Sequence, residues 1–361
     1  MDVDRRQLLK YAGGVACTWA GHTTLNAQQP VRSGATKPIR IGQIGVGHAH
    51  ANKLSAYMAS PDYEVVGIAE PDRGLRAQAE SRAPFRDCPW MSEEQLLSMP
   101  DLQVVLVETH VRDLLATATR CIAAGKHIHL DKPAGASLPA FTNLLQRAEQ
   151  QQLIVQLGYM YRFNPAIILL RQLIQAGAMG DVFEAHAVMS KVVDDESRAE
   201  HAEFSGGMMF ELGCHLIDLI VGLLGAPEQI TPFAQHAAAV DDPLVDNMLA
   251  VFEYPRALAT VKTSAMEVEG FSRRHLVVCG TKGTMHIQPL DNPAARLTLS
   301  EPHGEYSAGT HELTFPTFTR YVADAADMAH ILRSEKADDF GHAHELAVQT
   351  AVLQASRIPL D

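Results

Sequence analysis

The segment over residues 39–70 constrains the fold more than any other. Ile39-Arg40-Ile41-Gly42-Gln43-Ile44 reads as a buried strand that runs into Gly45-Val46-Gly47. Residues 51–59 have helical character, and Tyr63-Glu64-Val65-Val66-Gly67-Ile68-Ala69-Glu70 is a second apolar strand that ends in a carboxylate. Strand, glycine turn, helix, strand and acid follow in the order a dinucleotide site needs. Gly45 and Gly47 let the backbone turn tightly and approach a pyrophosphate, and the helix after them aims its first amides at the phosphate charge. Glu70 is placed to accept hydrogen bonds from ribose hydroxyls. His50 stands where the fingerprint has its third glycine, so the strand–helix–strand context carries the reading. Glu70 favours NAD, because a carboxylate repels a 2′-phosphate; Arg73 close by keeps NADP open.

The pattern continues with an apolar run at 104–107, a helical stretch at 113–124, a strand in His127-Ile128-His129-Leu130, a helix around 141–151 and a strand at 153–157. The expected fold class is α/β. A doubly wound parallel Rossmann sheet occupies residues 38–158. Residues 159–361 form a second α/β domain, with strands at 246–260 and 275–287 and closing helices at 318–334 and 341–357. A length of 361 residues suits two such domains. A polar, acidic loop is expected over 191–205.

Ahead of the fold, Arg5-Arg6 precede a short, weakly apolar run over 11–20. This resembles a twin-arginine export signal over residues 1–30, with a flexible linker at 31–37. The run is too short to span a bilayer. The expectation is a periplasmic or otherwise exported protein, or a cytoplasmic one if the signal is inactive. An exported chain that uses a dinucleotide must retain it and restore its redox state within its own cycle. The formal charge of −12, with no long basic run, argues against nucleic acid and anionic membrane surfaces as partners. The five cysteines form no CxxC pair, which argues against a zinc knuckle or a disulfide scaffold and leaves one disulfide open in an oxidising compartment.

A helix over 208–220 would put Glu211, His215 and Asp218 on one face, at i, i+4 and i+7, in an otherwise apolar surface. Such a polar stripe needs partners or a cleft. His215 is of the type that takes or gives a hydroxyl proton. His48, His50 and His110 come from loops at one edge of the expected sheet. They read as pocket residues and not as a metal site, since no acid accompanies them in the sequence.

Three stretches make the chain similar to the Gfo/Idh/MocA oxidoreductases, over roughly residues 37–359. Ala124-Gly125-Lys126-His127-Ile128-His129-Leu130-Asp131-Lys132-Pro133 resembles the family's AGKHV…EKP segment, with Asp131 for the usual glutamate. Gly158-Tyr159-Met160-Tyr161-Arg162-Phe163-Asn164-Pro165 resembles the entry to its second domain. Gly206-Gly207 with Glu211, His215 and Asp218 resembles its GG…D-x-x-x-H stretch, with Glu211 for the usual aspartate. The resemblance implies that Lys132 lies beside the nicotinamide and bonds the reacting hydroxyl, with His215 and Glu211 assisting. A lysine beside a cationic ring is expected to have a lowered pKa. It also implies that Gly45, Gly47, His48, His50, Glu70, Thr109, Asp131 and Lys132 border the cofactor. Tyr161, Arg162, His110 and Asp218 would border the substrate, with packing and ion pairing open for Tyr161 and Arg162 and a structural role open for Asp218. Glu108-Thr109-His110 stands where the family has Thr-Pro-Asn.

The implied activity is hydride transfer between NAD(P) and a secondary alcohol of a sugar, polyol or sugar derivative. The alternative is an NAD-dependent glycosidase that oxidises, eliminates, hydrates and reduces without net redox. A dinucleotide-retaining scaffold without turnover is the non-enzymatic alternative. A homo-oligomer through the open face of the second sheet is expected.

Overall fold

Six short apolar strands build the first sheet: β1 (Ile39–Ile44), β2 (Tyr63–Ala69), β3 (Trp90–Met91), β4 (Val104–Val107), β5 (His127–Leu130) and β6 (Val155–Leu157). They lie in the order β3-β2-β1-β4-β5-β6, all parallel. Every residue of β4 is buried, because helices cover both faces. Those helices are α1 (Leu54–Ala59), α2 (Arg73–Ala79), α3 (Glu93–Leu97), α4 (Val111–Ala123) and α5 (Leu138–Gln150). Local chemistry sets their starts. Asp72 caps α2 through the amides of Gly74 and Leu75, Ser92 and Gln95 form a capping box on α3, and Ser137 caps α5. Strand order reverses between β1 and β4, the switch point at which such sheets bind ligands.

The computed structural model describes residues 37–361. The signal-like segment 1–30 and the linker up to residue 36 lie outside the described residues.

The second half opens with α6 (Pro165–Gln175), capped by Asn164 with proline in its first turn. It continues with β7 (Val182–Val188), α7 (Asp195–His201), α8 (Cys214–Leu224), β8 (Gln229–Gln235), β9 (Asn247–Tyr254), β10 (Ala257–Ser264), β11 (His275–Gly280), β12 (Gly283–Ile287), β13 (Ala294–Leu299) and β14 (Gly309–Thr314). The eight strands lie in the order β14-β13-β12-β11-β7-β10-β9-β8. Within it β7 and β10 run parallel and all other neighbours antiparallel. Burial alternates along β9 and β10: Met248, Ala250, Phe252, Ala259 and Val261 face the core. Their neighbours turn the other way, leaving one open face.

The chain then returns to the first sheet. In α9 (Val322–Leu332), Ala325 and Met328 pack with Ile41, Leu54 and Tyr57, and Tyr63 Oη donates to the Ala325 carbonyl at 2.7 Å. Helix α10 (His342–Ala355) lies against α5 and α8. One apolar core joins both sheets, from Ile128 and Leu157 through Ile217 to Val261 and Val352.

Three expectations need correction. The stretch over 191–205 is not all loop: Asp194 accepts from the Ser197 amide at 2.9 Å and starts α7. The helix expected over 208–220 is not regular, because residues Met209–Gly213 form a π-turn before α8. Strands β7, β8, β13 and β14 went unread; each has exposed or half-buried residues between its more buried ones, so none shows a continuous apolar run.

Candidate active site

The turn after β1 shows why glycine is required. Gly45 has φ +96°, and a Cβ there would lie 2.5 Å from the Thr109 amide nitrogen. A Cβ on Gly47 would lie 2.9 Å from His110 Nε2. Glu70, at the end of β2, accepts from the Val46 amide at 2.8 Å and the Asp72 amide at 2.8 Å. Its carboxylate therefore braces the glycine turn while also lining an open cavity of about 500 Å³ beside Asp72, Thr109, His110 and Arg120. This cavity sits at the carboxyl ends of β1, β2 and β4. A positive-φ Gly45 pressed against backbone, with Gly47 beside the His110 ring, next to such a cavity, fits a dinucleotide.

Lys132 follows β5 and is buried. Its backbone amide donates to Asp131 Oδ1 at 2.6 Å, and its ammonium donates to the Glu211 carbonyl at 3.0 Å and to Glu211 Oε1 at 3.1 Å. The same carbonyl, in the π-turn, also accepts from Cys214 Sγ at 3.3 Å. Burial works against the lysine charge, but Glu211 overcomes it and raises the Lys132 pKa above the ordinary lysine value. The expected lowering is corrected: the protein's own residues hold Lys132 as an ammonium. Burial alone would raise the Glu211 carboxyl; Lys132 and then His48 outweigh it and hold it ionised.

His215 sits four residues after Glu211, at the start of α8, and is buried. The rings of Tyr161 and Tyr159 meet it edge-on at 5.4 and 5.9 Å, and His50 lies 6.2 Å away. Its Nδ1 has no hydrogen-bond partner among the described residues. Burial first, and then the Lys132 charge, hold its pKa well below the ordinary histidine value. The site thus pairs a fixed ammonium with a neutral imidazole. A small pocket of about 70 Å³, lined by Gly47, His48, His110, His201 and Glu211, adjoins them.

Behind Lys132 lies a buried charge network. Lys53 bonds Asp131 Oδ2 at 2.7 Å, Glu108 Oε1 at 3.0 Å and His129 Nε2 at 3.0 Å. His48 Nδ1 and His50 Nδ1 approach Asp131 at 3.1 and 3.3 Å. Burial would raise the Asp131 carboxyl; His48, Lys53 and His50 hold it well below the usual range. Glu108 is pushed well above that range by burial and by Asp131 beside it. His48 and His50 therefore do have an acid partner, contrary to the sequence reading. That acid already carries the Lys53 ammonium. Asp131 also faces inward, where it positions Lys132, His48 and His50 instead of meeting a cofactor directly.

Arg162 and Asp218 are corrected as substrate contacts. Arg162 is buried, with Nη2 at 2.6 Å from Asp218 Oδ1 and 2.6 Å from Glu345 Oε2. Arg162, in the 3-10 turn Met160–Phe163, thus ties that turn to α8 through Asp218 and to α10 through Glu345. Asp218 does not orient His215. Tyr161 does stay at the site: its hydroxyl donates to Asp291 Oδ1 at 2.5 Å. Glu70, Thr109 and His110 line the larger cavity, with Gly45 against the Thr109 amide; Gly47, His48, His110 and Glu211 line the smaller pocket, with Lys132 bonded to Glu211 and His50 between His48 and His215.

Sequence reasoning missed Lys53, Glu108, Lys191, Arg274 and Asp291. Lys53 and Glu108 carried one signal, since each sits among apolar positions beside a functional loop.

Comparison with known proteins decides what this site belongs to. Residues 39–159 match the oxidoreductase-family model of an NAD-binding Rossmann fold, and residues 167–286 match the GFO/IDH/MocA C-terminal domain. The chain belongs to the Gfo/Idh/MocA oxidoreductase family. As such it is an NAD(P)-binding oxidoreductase. The chain is 27% identical over 278 residues to trans-1,2-dihydrobenzene-1,2-diol dehydrogenase of Macaca fuscata fuscata, covering 74% of this chain and 80% of that protein. It is 27% identical over 267 residues to scyllo-inositol 2-dehydrogenase (NAD(+)) of Bacillus subtilis, covering 70% and 74%. The fold matches the WlbA dehydrogenase of Bordetella pertussis, solved with NADH and UDP-GlcNAcA. There the TM-score is 0.76 at 17% identity, covering 90% of this chain and 99% of that one.

Proposed function

We propose that this family member transfers hydride reversibly between NAD and a secondary alcohol of a sugar, polyol or sugar derivative. The observation that carries this is the convergence of Lys132 and His215. The Lys132 ammonium is bonded to the carbonyl of Glu211, one turn before His215. The alcohol oxygen accepts from Lys132, and His215 takes the hydroxyl proton. Bound NAD(P) supplies the hydride acceptor or donor. Gly45, Gly47, Glu70 and Thr109 would hold it. Glu70 and Asp72 both line the larger cavity, which favours NAD over NADP because carboxylates repel a 2′-phosphate. The named activities of the inositol and dihydrodiol dehydrogenases support a cyclic or carbohydrate-like diol or polyol as substrate.

A second imidazole at 6.2 Å from His215 favours one alternative, the redox-neutral glycosidase. His50, held by Asp131, offers the extra base that elimination needs. The test is direct. The purified protein is assayed for bound dinucleotide by its near-ultraviolet absorbance, then given sugars, polyols and aryl glycosides. Reduction of the dinucleotide by a free polyol supports the oxidoreductase. Aglycone release without net reduction supports the glycosidase. No response to any of them overturns both.

The same proposal includes export through the Arg5-Arg6 segment with the cofactor retained, tested by whether Arg5→Lys with Arg6→Lys keeps the protein in the cytoplasm. It also includes assembly through the open sheet face. Leu258 and Phe233 are 56% and 53% exposed there, beside half-buried Leu249 and Val251. Sedimentation of the wild type and of Leu258→Asp tests it.

A further inference from the structure

The larger cavity and the small pocket are unequal parts of one path, joined at His110, which lines both. Glu70, the expected acceptor for the adenosine ribose, lines the cavity of about 500 Å³. The pocket of about 70 Å³ lies between Gly47 and His48 on one side and Glu211, the partner of Lys132, on the other. A dinucleotide has two nucleoside halves, and sites for ligands of even half that size are roughly 300 Å³ or larger. The cavity can take the adenosine half. The pocket, on the way to Lys132, cannot take the nicotinamide half as it stands.

What closes the pocket is the end of α7 and the residues after it: Glu200, His201, Glu203 and Phe204 line it. Both ends of this stretch are fixed. Arg198 Nη2 is 2.9 Å from Asp246 Oδ2 and is also paired with Asp242, and a Cβ on Gly207 would overlap the Val245 carbonyl oxygen. Between these anchors, Glu203 Oε2 accepts from Arg112 Nη1 at 2.9 Å, which ties the stretch to α4. Arg112 is 52% exposed and Glu203 33%, so water and salt weaken that tie. Phe204 also lines a groove of about 540 Å³ with Val111, Leu115, Ala136 and Ala140. Its ring can therefore leave the pocket for the groove and keep apolar neighbours. Of the acids that line the pocket, Glu203 and Glu211 are paired with Arg112 and Lys132. With Glu200 they suit ribose hydroxyls and a cationic pyridine ring and repel phosphate. His201 Nε2 is buried there with no partner among the described residues, and burial lowers the His201 pKa. A neutral imidazole can donate to or accept from a hydroxyl.

We propose that residues 200–205 form a gate over the nicotinamide half of the dinucleotide, latched by Arg112 with Glu203 and touching the bound cofactor through His201. The gate swings out to admit that half and shuts over it. This rests on dinucleotide binding alone and not on the hydride-transfer reading or its substrate.

Release of NADH from the loaded protein tests this without turnover. Excess NAD is mixed in, the loss of NADH fluorescence gives the release rate, and a separate titration gives Kd. Glu203→Gln should speed release by about two- to fivefold, the worth of an exposed ion pair. Its Kd should move by less than about twofold, because an unlatched gate speeds entry as much as release. Raising salt from about 0.05 M to about 0.5 M should speed release from the wild type and not from Glu203→Gln. His201→Ala should instead raise the release rate and Kd together, by about fivefold, as the loss of one hydrogen bond does. Unchanged melting temperatures show that both variants fold. The gate is overturned if Glu203→Gln releases NADH at the wild-type rate, or if its Kd rises in step with release. The His201 contact is overturned if His201→Ala keeps the wild-type Kd. No sugar is present in these measurements, so neither outcome bears on hydride transfer, which the reduction assay above decides.

Discussion

Glu211 controls how Lys132 behaves. The carboxylate and the carbonyl of one residue hold the ammonium, and the carboxylate raises its pKa. Glu211→Gln removes the charge and leaves a carbonyl acceptor. The Lys132 pKa should fall, so the alkaline limb of kcat/KM should move to lower pH, as a pH–rate series would record. An unmoved alkaline limb would show that Lys132 does not need its proton. Arg162 makes the opposite kind of prediction. It neutralises two buried acids, and removing one partner of such a cluster leaves uncompensated charge. Arg162→Met should destabilise the fold by about 3–5 kcal/mol in denaturant unfolding. The family motif placed this arginine at the substrate. Its partners come from α8 and α10, far along the chain, so no local pattern could pair them. Lys132 and His215 were legible because each sits in a motif whose neighbours are fixed by local geometry.

The glycine turn, the π-turn and α7 are the elements that shape the site. Gly45→Ala would force a side chain into positive φ and into contact with the Thr109 amide. Strain of roughly 1–3 kcal/mol is typical of such backbone positions, before any clash is counted. NADH affinity, read by fluorescence titration, should fall by about tenfold or more. Unchanged affinity would mean that the turn does not cradle the dinucleotide. The strands of the first sheet are near-continuous apolar runs buried on both faces, and the glycine turn follows the first of them, which is why that sheet was readable almost strand by strand. The π-turn was not, because one extra residue in a helical turn leaves no compositional mark. The strands β13 and β14 were hidden for a related reason. Their exposed, polar alternation resembles loop sequence until neighbours supply the hydrogen bonds.

Across the whole molecule, burying neutral histidines links stability to pH. Burial, then Lys53, lowers His129 to about 3; burial lowers His50 to about 4, against the pull of Asp131. Both folded values lie below the unfolded value near 6.5. The unfolded chain therefore binds more protons as pH falls from about 6.5, and stability is lost through that window. Asp324, raised by burial to about 6, and Glu108, raised by burial and Asp131, act the other way, while His215, lowered by burial and Lys132, adds to the histidine side. The melting temperature should fall on acidification from pH about 7 to about 5, and His129→Gln should narrow the drop. A melting temperature that rises instead would contradict the neutral assignment. The charge network around Lys53 was also beyond the sequence, since Glu108, Asp131 and His129 meet it only when β4 and β5 lie side by side.

The central claim is that the Lys132 ammonium polarises the alcohol that gives up hydride. Single-turnover reduction of bound NAD by a sugar substrate, followed by near-ultraviolet absorbance, tests it most directly in wild type and in Lys132→Met. The variant should still bind the dinucleotide, and its hydride-transfer rate should drop by about 10²–10⁴-fold. A variant that binds NAD and reduces it at the wild-type rate would contradict the account.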